Sequence, residues 1–292
     1  MEKYFMGICW INGIPFFEIH DSNNNIEKIE IPKSICIEKI DQKKCSGIVN
    51  PLTREKNACN KIINENDKQC LECKYKYDFY KCVKCHGANC IALSQEVIEY
   101  CNTEHYVYIA YFNRNKIKVG TVSKIRKYDR LYEQGAIYFE LIAMAPTGKI
   151  ARQIEQEIIN LGYVGGVTTK YKMENIIIDE HLNIIKDILD NEYQNIINNI
   201  NDKYKKYFIK SEFNYLEDIY NKIKKILLKT NNQLCLFDTD EKIIEPFIIE
   251  KNYSNINGKI LFVIGKIMAI QDNSIIKFYD TKKMEGYLYK FI

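Results

Sequence analysis

The chain has 292 residues, of which 46% are hydrophobic and 27% charged, a balance typical of a globular protein and not of a disordered one. The formal net charge is only +4, so any case for a nucleic-acid partner depends on local sites. The first residues lack the pattern of a secretion signal, and no stretch approaches the ~18 apolar residues of a membrane span. We therefore expect a cytoplasmic protein, in which eleven cysteines indicate metal binding more than disulfides.

The amino-terminal residues have the pattern of β structure. Residues 4–39 contain short apolar or alternating runs separated by Asn-Gly and by a turn of Asp, Ser and Asn, which predicts strands. The next segment, residues 45–101, carries eight cysteines and shows little apolar periodicity. Because so few core residues cannot stabilise a fold by themselves, we expect metal coordination to stabilise this segment.

The middle of the chain predicts an alternation of strands and helices. Residues 105–121 form two apolar runs around Asn-Arg-Asn, which is the pattern of a hairpin. Ser123 is suited to cap a helix that runs to about Gln134 and ends at Gly135. A strand over 137–145 and a helix over 149–161 are expected to follow.

The last third of the chain predicts helices and then strands. Residues 178–229 repeat apolar residues at helical spacing, which indicates an amphipathic helical pair packed on the rest of the chain. Residues 255–290 return to short β runs, separated by Asp-Asn and Lys-Lys turns. Because each end of the chain has too few strands to form a stable sheet by itself, we expect the strands of the two ends to pair into one small sheet or barrel.

These patterns together predict an α+β fold with the other modules inserted between the terminal β segments. The expected segments are residues 1–44 (β), 45–104 (a zinc-binding cysteine module), 105–177 (an α/β domain), 178–235 (helical) and 236–292 (β).

The cysteine module is the clearest functional signal in the sequence. Its two CxxC pairs are separated by eight residues, and a CxxC turn places two thiolates on one tetrahedral metal at about 2.3 Å. A site filled by four sulfurs is closed, so its zinc is structural and has no position for a catalytic water. The sequence predicts two Zn2+ ions held by Cys45, Cys59, Cys70, Cys73, Cys82, Cys85, Cys90 and Cys101.

The spacing does not assign each cysteine to one ion. A sequential split, a site with both CxxC pairs, and a crossed arrangement are all compatible with it. An iron–sulfur cluster also takes four cysteines, and the residues from Cys82 to His86 match the CxxCH haem-attachment pattern. Zinc is favoured because CxxC knuckles usually build closed zinc sites, and because haem attachment of that kind belongs to exported proteins.

A second set of residues lies in the strands and helices after the cysteines. It comprises the runs from His105 to Ala110 and from Lys118 to Thr121, the pair Arg126 and Arg130, and Ala151 with Glu155. In this order the residues resemble the GIY-YIG nuclease superfamily, especially the branch whose second motif reads Lys-(Ile/Val)-Gly. The resemblance implies a GIY-YIG-like α/β domain at residues 105–177.

The resemblance also implies roles for individual residues in cleaving a phosphodiester. Tyr108 would orient or deprotonate the attacking water, and Arg130 would hold the phosphate through its bidentate fork. Glu155 would hold a single Mg2+ with mostly water ligands, as that ion prefers. Arg126 and Gln134 lie one turn to either side of Arg130, so they could line the same groove.

The sequence departs from the nuclease pattern at Lys118, which replaces the second tyrosine. Lys118 would then supply a positive charge for the phosphate, or a base if burial lowered its pKa. Arg152 is a further candidate for binding substrate, since Arg126, Arg130 and Arg152 are three of the five arginines in the chain. The cysteine segment followed by these motifs also resembles an uncharacterised prokaryotic family of unknown function, over roughly residues 7–162 and 255–290.

Three functions fit these observations. The first is a Mg2+-dependent endonuclease acting on RNA or DNA, and the second is a nucleic-acid-binding module, for instance for RNA, that has lost cleavage. The third is an enzyme of another class, such as a nucleotide-modifying enzyme. Lysines and tyrosines alternate from Lys74 to Tyr77, which suits base stacking and phosphate neutralisation, although a solvated charged loop has the same composition.

Overall fold

The computed structural model describes residues 1–77, 79–83, 85–88, 90–91, 94–112, 116–178, 180–229, 243–244 and 246–292. The predicted Asn-Arg-Asn turn at 113–115, Cys235 and the predicted boundary near residue 235 lie outside these residues. Within them, no helix is long and apolar enough to cross a membrane.

The strands are numbered in chain order. They are β1 (Glu2–Ile11), β2 (Ile14–His20), β3 (Ile26–Glu30), β4 (Ser34–Lys43), β5 (Ile48–Val49), β6 (Lys56–Asn57), β7 (His105–Tyr111), β8 (Ile117–Ser123), β9 (Tyr138–Ala145), β10 (Phe208–Tyr215), β11 (Leu228–Lys229), β12 (Ile243–Ile244), β13 (Phe247–Ile249), β14 (Asn255–Ile264), β15 (Ile267–Asp272), β16 (Ile275–Asp280) and β17 (Tyr287–Phe291).

The helices are α1 (Leu71–Tyr75), α2 (Phe79–Val83), α3 (Gln95–Cys101), α4 (Lys127–Gln134), α5 (Gly148–Asn160), α6 (Thr169–Glu174), α7 (Leu182–Asn199), α8 (Asp202–Lys205) and α9 (Glu217–Leu227). Short 3-10 turns precede α4 and follow β16. The helix expected to start at Ser123 therefore begins as a 3-10 turn, and the Ser123 side chain does not cap it.

Strands from both ends of the chain lie in one mixed sheet. Counted over the described residues, this large sheet has nine strands in the order β13-β16-β15-β14-β4-β17-β1-β2-β3. Glu2 in β1 pairs with Lys290 in β17, and Asn255 in β14 pairs with Glu38 in β4. The cysteine module follows β4, which is the central strand of this sheet, so the end of that strand fixes where the module begins.

The region predicted as a helical pair is interrupted by a strand. Helices α7 and α9 form as expected, but β10 lies between them and pairs antiparallel with β9. The small sheet consequently has the order β10-β9-β7-β8. The prediction of helix over this stretch was wrong at residues 208–215, because an alternating run beside an open sheet edge gains ladder hydrogen bonds that a helix cannot make there.

A tight turn at Gly265 divides the apolar run of residues 259–270, a turn additional to the Asp-Asn and Lys-Lys turns expected in this segment. Residues 259–270 form parts of β14 and β15, which meet at Gly265 with a φ of 57°. A side chain at this position would press against Gly135, whose nitrogen would lie 2.8 Å from the added Cβ. Glycine at both positions lets the β14–β15 turn touch the end of α4.

The two sheets share an apolar core. Val107 and Ile109 of the small sheet belong to the same buried cluster as Phe262, Ile264 and Phe278 of the large sheet. Each fully buried aliphatic or aromatic side chain contributes roughly 1.5–3 kcal/mol of hydrophobic stabilisation. Helix α5 contributes Ala151, Ile154 and Ile158 to this core, which holds the helix against the small sheet.

Candidate functional site

Four of the eight predicted cysteine ligands lie together. The Sγ atoms of Cys45, Cys59, Cys70 and Cys73 are all within 4.8 Å of one another. A zinc ion with four sulfurs at about 2.3 Å has sulfur–sulfur edges of about 3.8 Å, and the Cys59 and Cys70 sulfurs are 3.9 Å apart. The donor set and its size fit a closed tetrahedral metal centre, so this cluster could hold an ion such as zinc.

The backbone around this cluster is arranged for thiolates. The amides of Gly47 and Cys70 donate to the Sγ of Cys45 at 3.4 and 3.2 Å, as expected where sulfur carries negative charge. Burial raises the pKa of the Cys45 thiol, and burial likewise raises the pKa of Cys73. The thiolates needed as ligands therefore require a cation to offset their desolvation.

Of the other four cysteines, Cys82, Cys85 and Cys101 lie near Arg152, and the four do not form an equally close group. In the part of the chain that the structure describes, the cluster above is the one that satisfies metal-ligand spacing. Burial raises the pKa of Cys82 and of Cys101, and Arg152 counteracts this in both cases. Cys90 is exposed. The structure thus places Arg152, predicted to bind substrate, beside the thiol of Cys82.

The loop that follows Cys85 packs directly on helix α5. The side-chain amide of Gln153 donates to the Gly87 carbonyl at 2.6 Å. Gly87 has a φ of 75°, and an added Cβ would lie 2.6 Å from the Lys149 carbonyl oxygen. Only glycine permits this approach, which brings the second cysteine segment to the helix that bears Glu155.

Tyr108 and Lys118 form a buried hydrogen-bonded pair. The Nζ of Lys118 donates to the Tyr108 hydroxyl at 3.1 Å and to Oε1 of Gln134 at 2.7 Å. The Tyr108 ring lies over Gly120, where an added Cβ would be 2.5 Å from its hydroxyl. Tyr108 is 1% exposed and Lys118 is 7% exposed. The structure brings these predicted site residues together beneath the surface, not in an open cleft.

Glu155 faces the same pair from helix α5. Burial raises its pKa, while Lys118 and Arg152 counteract that shift and the Thr121 hydroxyl contacts the carboxyl group. Two basic side chains already stand where the resemblance to nucleases implies a Mg2+ ion. Glu155 is half-buried as a residue, whereas Tyr108 is fully buried.

Three of the five arginines converge on one carboxylate. Glu133 on α4 accepts from Arg126 at 2.6 Å and from Arg130 at 3.2 Å. Arg54 lies near the same groups, since Arg126 and Glu133 both act on its pKa, which burial lowers. Arg54 comes from the loop between β5 and β6, where its φ is 65°. Sequence reasoning missed Arg54 and Glu133.

A cleft of about 480 Å3 opens beside these arginines. The large sheet, the cysteine module and α4 form its walls. Its basic side chains are Arg54, Lys56, Lys68, Lys74 and Lys266, its acidic ones are Glu18, Glu133 and Glu285, and its aromatic ones are Tyr77 and Phe79. Basic and aromatic side chains of the cysteine module therefore share one concave surface with α4.

Comparison with known proteins gives one family and no characterised relative. A family model described as "Protein of unknown function (DUF2797)" matches residues 33–288. No curated protein and no solved structure matches the chain. The matched region includes the cysteine cluster, the Tyr108–Lys118 pair and the arginines around Glu133, and it spans most of the sequence. The chain therefore belongs to the DUF2797 family.

Proposed function

We propose that the protein binds nucleic acid along the cleft between the cysteine module and helix α4. The observation that carries this proposal is the convergence of Arg54, Arg126 and Arg130 on Glu133. Guanidinium groups bind phosphate oxygens through a planar fork, and three of them at one carboxylate leave a positive excess. Phosphate groups are the usual partners of such an excess.

The cleft supplies the other groups that single-stranded nucleic acid needs. Tyr77 and Phe79 line the wall formed by the cysteine module, and aromatic rings stack on bases at about 1–3 kcal/mol each. Lys56, Lys68 and Lys74 line the same wall. Because these contacts go to the backbone and to base faces, they support binding with little sequence preference.

Metal ions would hold this wall in place and would not take part in chemistry. One Zn2+ at Cys45, Cys59, Cys70 and Cys73 would fix the β5–β6 hairpin that carries Arg54. We propose a second Zn2+ at Cys82, Cys85, Cys90 and Cys101, because Arg152 beside Cys82 would offset the negative charge of four thiolates. Thiolate ligation suits a reducing compartment such as the cytoplasm.

Binding is tested by fluorescence anisotropy with single- and double-stranded RNA and DNA over a range of salt. Arg54→Ala and Lys74→Ala, which each remove a basic side chain that lines the cleft, should weaken binding and lower the salt slope by about one. Lys225→Ala is the matched control, because Lys225 is exposed on α9 and does not line the cleft. Absence of salt-dependent binding to every probe would refute the proposal and would favour a nucleotide-modifying enzyme.

A second candidate function is endonucleolytic cleavage. It is favoured by the contact of Lys118 with Tyr108 and the facing position of Glu155. The order of strands and helices from β7 to α5 also agrees with the order in which the sequence resembles GIY-YIG nucleases. Mg2+ held by Glu155 would supply charge stabilisation for the phosphate. Tyr108 would first have to become accessible, since it is buried.

Cleavage is tested on the same probes with Mg2+ or Mn2+ present. Glu155→Gln and Tyr108→Phe should abolish cleavage and leave binding within about twofold of wild type, since neither residue lines the cleft. If the wild-type protein binds the probes without cleaving them, the nuclease function is refuted and the binding function still stands.

A further inference from the structure

A smaller pocket of about 150 Å3 lies between helices α4 and α6 and two turns of the large sheet. Four of its lining side chains are basic and one is acidic. The basic residues are Arg130, Lys172, Lys266 and Lys282, and the acidic residue is Glu133. We call this the four-cation pocket. Glu133 and Lys266 line both this pocket and the cleft, so the two are neighbours on either side of these side chains.

Lys172 is one of three half-buried cations in this pocket. Its Nζ donates to the backbone carbonyl of Gln134 at 2.5 Å, which fixes the ammonium at the pocket wall. Burial lowers its pKa to about 7, and neighbouring positive charges add to the shift. The charged groups that act on it are Lys118, Lys282, Arg130 and Asp280. A bound anion would offset both the desolvation and the repulsion.

Two of the acidic residues nearby are paired with basic side chains. Glu133 accepts from Arg126 and Arg130, and Glu285 lies 2.8 Å from Lys68 and 3.6 Å from Lys266. The Asp280 side chain accepts from the backbone amide of Lys282. With a pKa of about 7, Lys172 is only partly protonated at pH 7, but four basic side chains against one acidic side chain in the lining still leave the pocket with a net positive charge.

The size of the pocket limits what it can hold. A volume of about 150 Å3 corresponds to roughly five water molecules at ~30 Å3 each. That is enough for one phosphate group with a few waters, and too little for a nucleoside in addition. A phosphate monoester carries about −1.5 to −2 charges at pH 7, whereas a diester within a chain carries one, so several cations favour the monoester.

We propose that the four-cation pocket binds a phosphate monoester at the end of a nucleic-acid chain. The inference rests on the proposed function, because the cleft would hold the chain while the pocket holds its terminal phosphate. Arg130 contributes its fork, and Lys172 and Lys282 contribute point charges. The same chemistry is present in a free mononucleotide, so the test separates the two sources.

The test compares oligonucleotides of one sequence that end in a 5′-phosphate, a 3′-phosphate or hydroxyls only. One phosphorylated end should bind about tenfold more tightly than the hydroxyl form, as expected for one to two charge-assisted hydrogen bonds. Lys172→Met and Lys282→Ala should remove most of this preference. Lys170→Met is the matched control, because Lys170 lies on the same helix, is exposed and pairs with Glu174.

The outcomes distinguish this proposal from the preceding one. Equal affinity for all three ends, with binding retained, overturns the four-cation pocket and leaves the cleft in place. The wild-type protein could instead bind none of the oligonucleotides and be stabilised by AMP but not by adenosine. That result refutes binding in the cleft and supports the pocket as a site for a free mononucleotide. A preference unchanged in both Lys172→Met and Lys282→Ala also overturns the pocket.

Discussion

The ammonium of Lys118 donates to the side-chain oxygen of Gln134 across 2.7 Å, which ties strand β8 to the last residue of α4. The same glutamine accepts from Lys172 through its backbone carbonyl. Two cations from separate elements therefore meet at one residue. This arrangement links the buried Tyr108 pair to the wall of the four-cation pocket.

Gln134→Ala should lower the free energy of unfolding by about 1–3 kcal/mol, because it leaves a buried ammonium with one hydrogen-bond partner fewer. Urea unfolding of Gln134→Ala, Lys118→Met and the double variant measures the coupling between the two side chains. Lys118→Met removes the buried ammonium, which then no longer requires Gln134 as a hydrogen-bond acceptor. A coupling energy near zero would contradict a stabilising role for this bond.

Loss of one ligand should release one metal ion from the cysteine module. Cys45→Ser replaces a buried sulfur of the four-cysteine cluster, and zinc per chain, measured by elemental analysis, should fall by one. The β5–β6 hairpin should then unfold locally, because metal coordination stabilises a segment with little core. Cys36→Ser in β4 is the control. Full zinc content in Cys45→Ser would refute the assignment.

The cysteine spacing in the sequence indicates the metal module because CxxC turns are a local feature of the chain. Arg54 could not be placed in the same way. It lies more than 70 residues before Glu133, and only the folded hairpin between Cys45 and Cys59 brings the two together. No local pattern encodes a contact of that range.

Strand β10 shows a different limit of sequence reasoning. Its eight residues lie between two amphipathic helices, so a window that spans them has mainly helical periodicity. What makes residues 208–215 a strand is the free edge of β9, with which Phe213 pairs at Glu140. Tertiary context of this kind overrides local propensity.

Glu133→Gln should strengthen nucleic-acid binding and weaken the fold. Burial raises its pKa, but Arg126 and Arg130 outweigh that effect and lower it, so the residue is charged at pH 7. Removing this charge leaves the arginines with a greater positive excess, and affinity should rise by roughly two- to fivefold. The free energy of unfolding should fall by about 1–2 kcal/mol.

The matched control for that change is Glu174→Gln, an exposed residue that pairs with Lys170 on α6. Anisotropy and urea unfolding should show little effect there. Weaker binding by Glu133→Gln at unchanged stability would argue that Glu133 contacts the ligand itself.

Gly87→Ala should detach the second cysteine loop from α5. The added Cβ would lie 2.6 Å from the Lys149 carbonyl at a φ of 75°, a conformation that costs an alanine about 1–2 kcal/mol. Hydrogen exchange at residues 82–90 should increase. Gly166→Ala is the control, since its added Cβ meets nothing within 4 Å, and equal exchange in both variants would contradict the close contact.

The pH dependence of stability should report the lowered pKa of Glu18, which lines the cleft. Burial opposes its ionisation, but contact with His20 and Lys56 lowers its pKa to about 2 from 4.5. Because the folded pKa is the lower one, the stabilisation is fully present above pH 4.5 and is lost as the pH falls toward 2. Its upper limit is about 3 kcal/mol. Unfolding free energies of wild type and Glu18→Gln should therefore converge between pH 4.5 and 2. A constant difference across that range would show that Glu18 does not titrate with a depressed pKa. Acid-induced loss of zinc affects both proteins equally, because both retain the same cysteines, so the comparison cancels it.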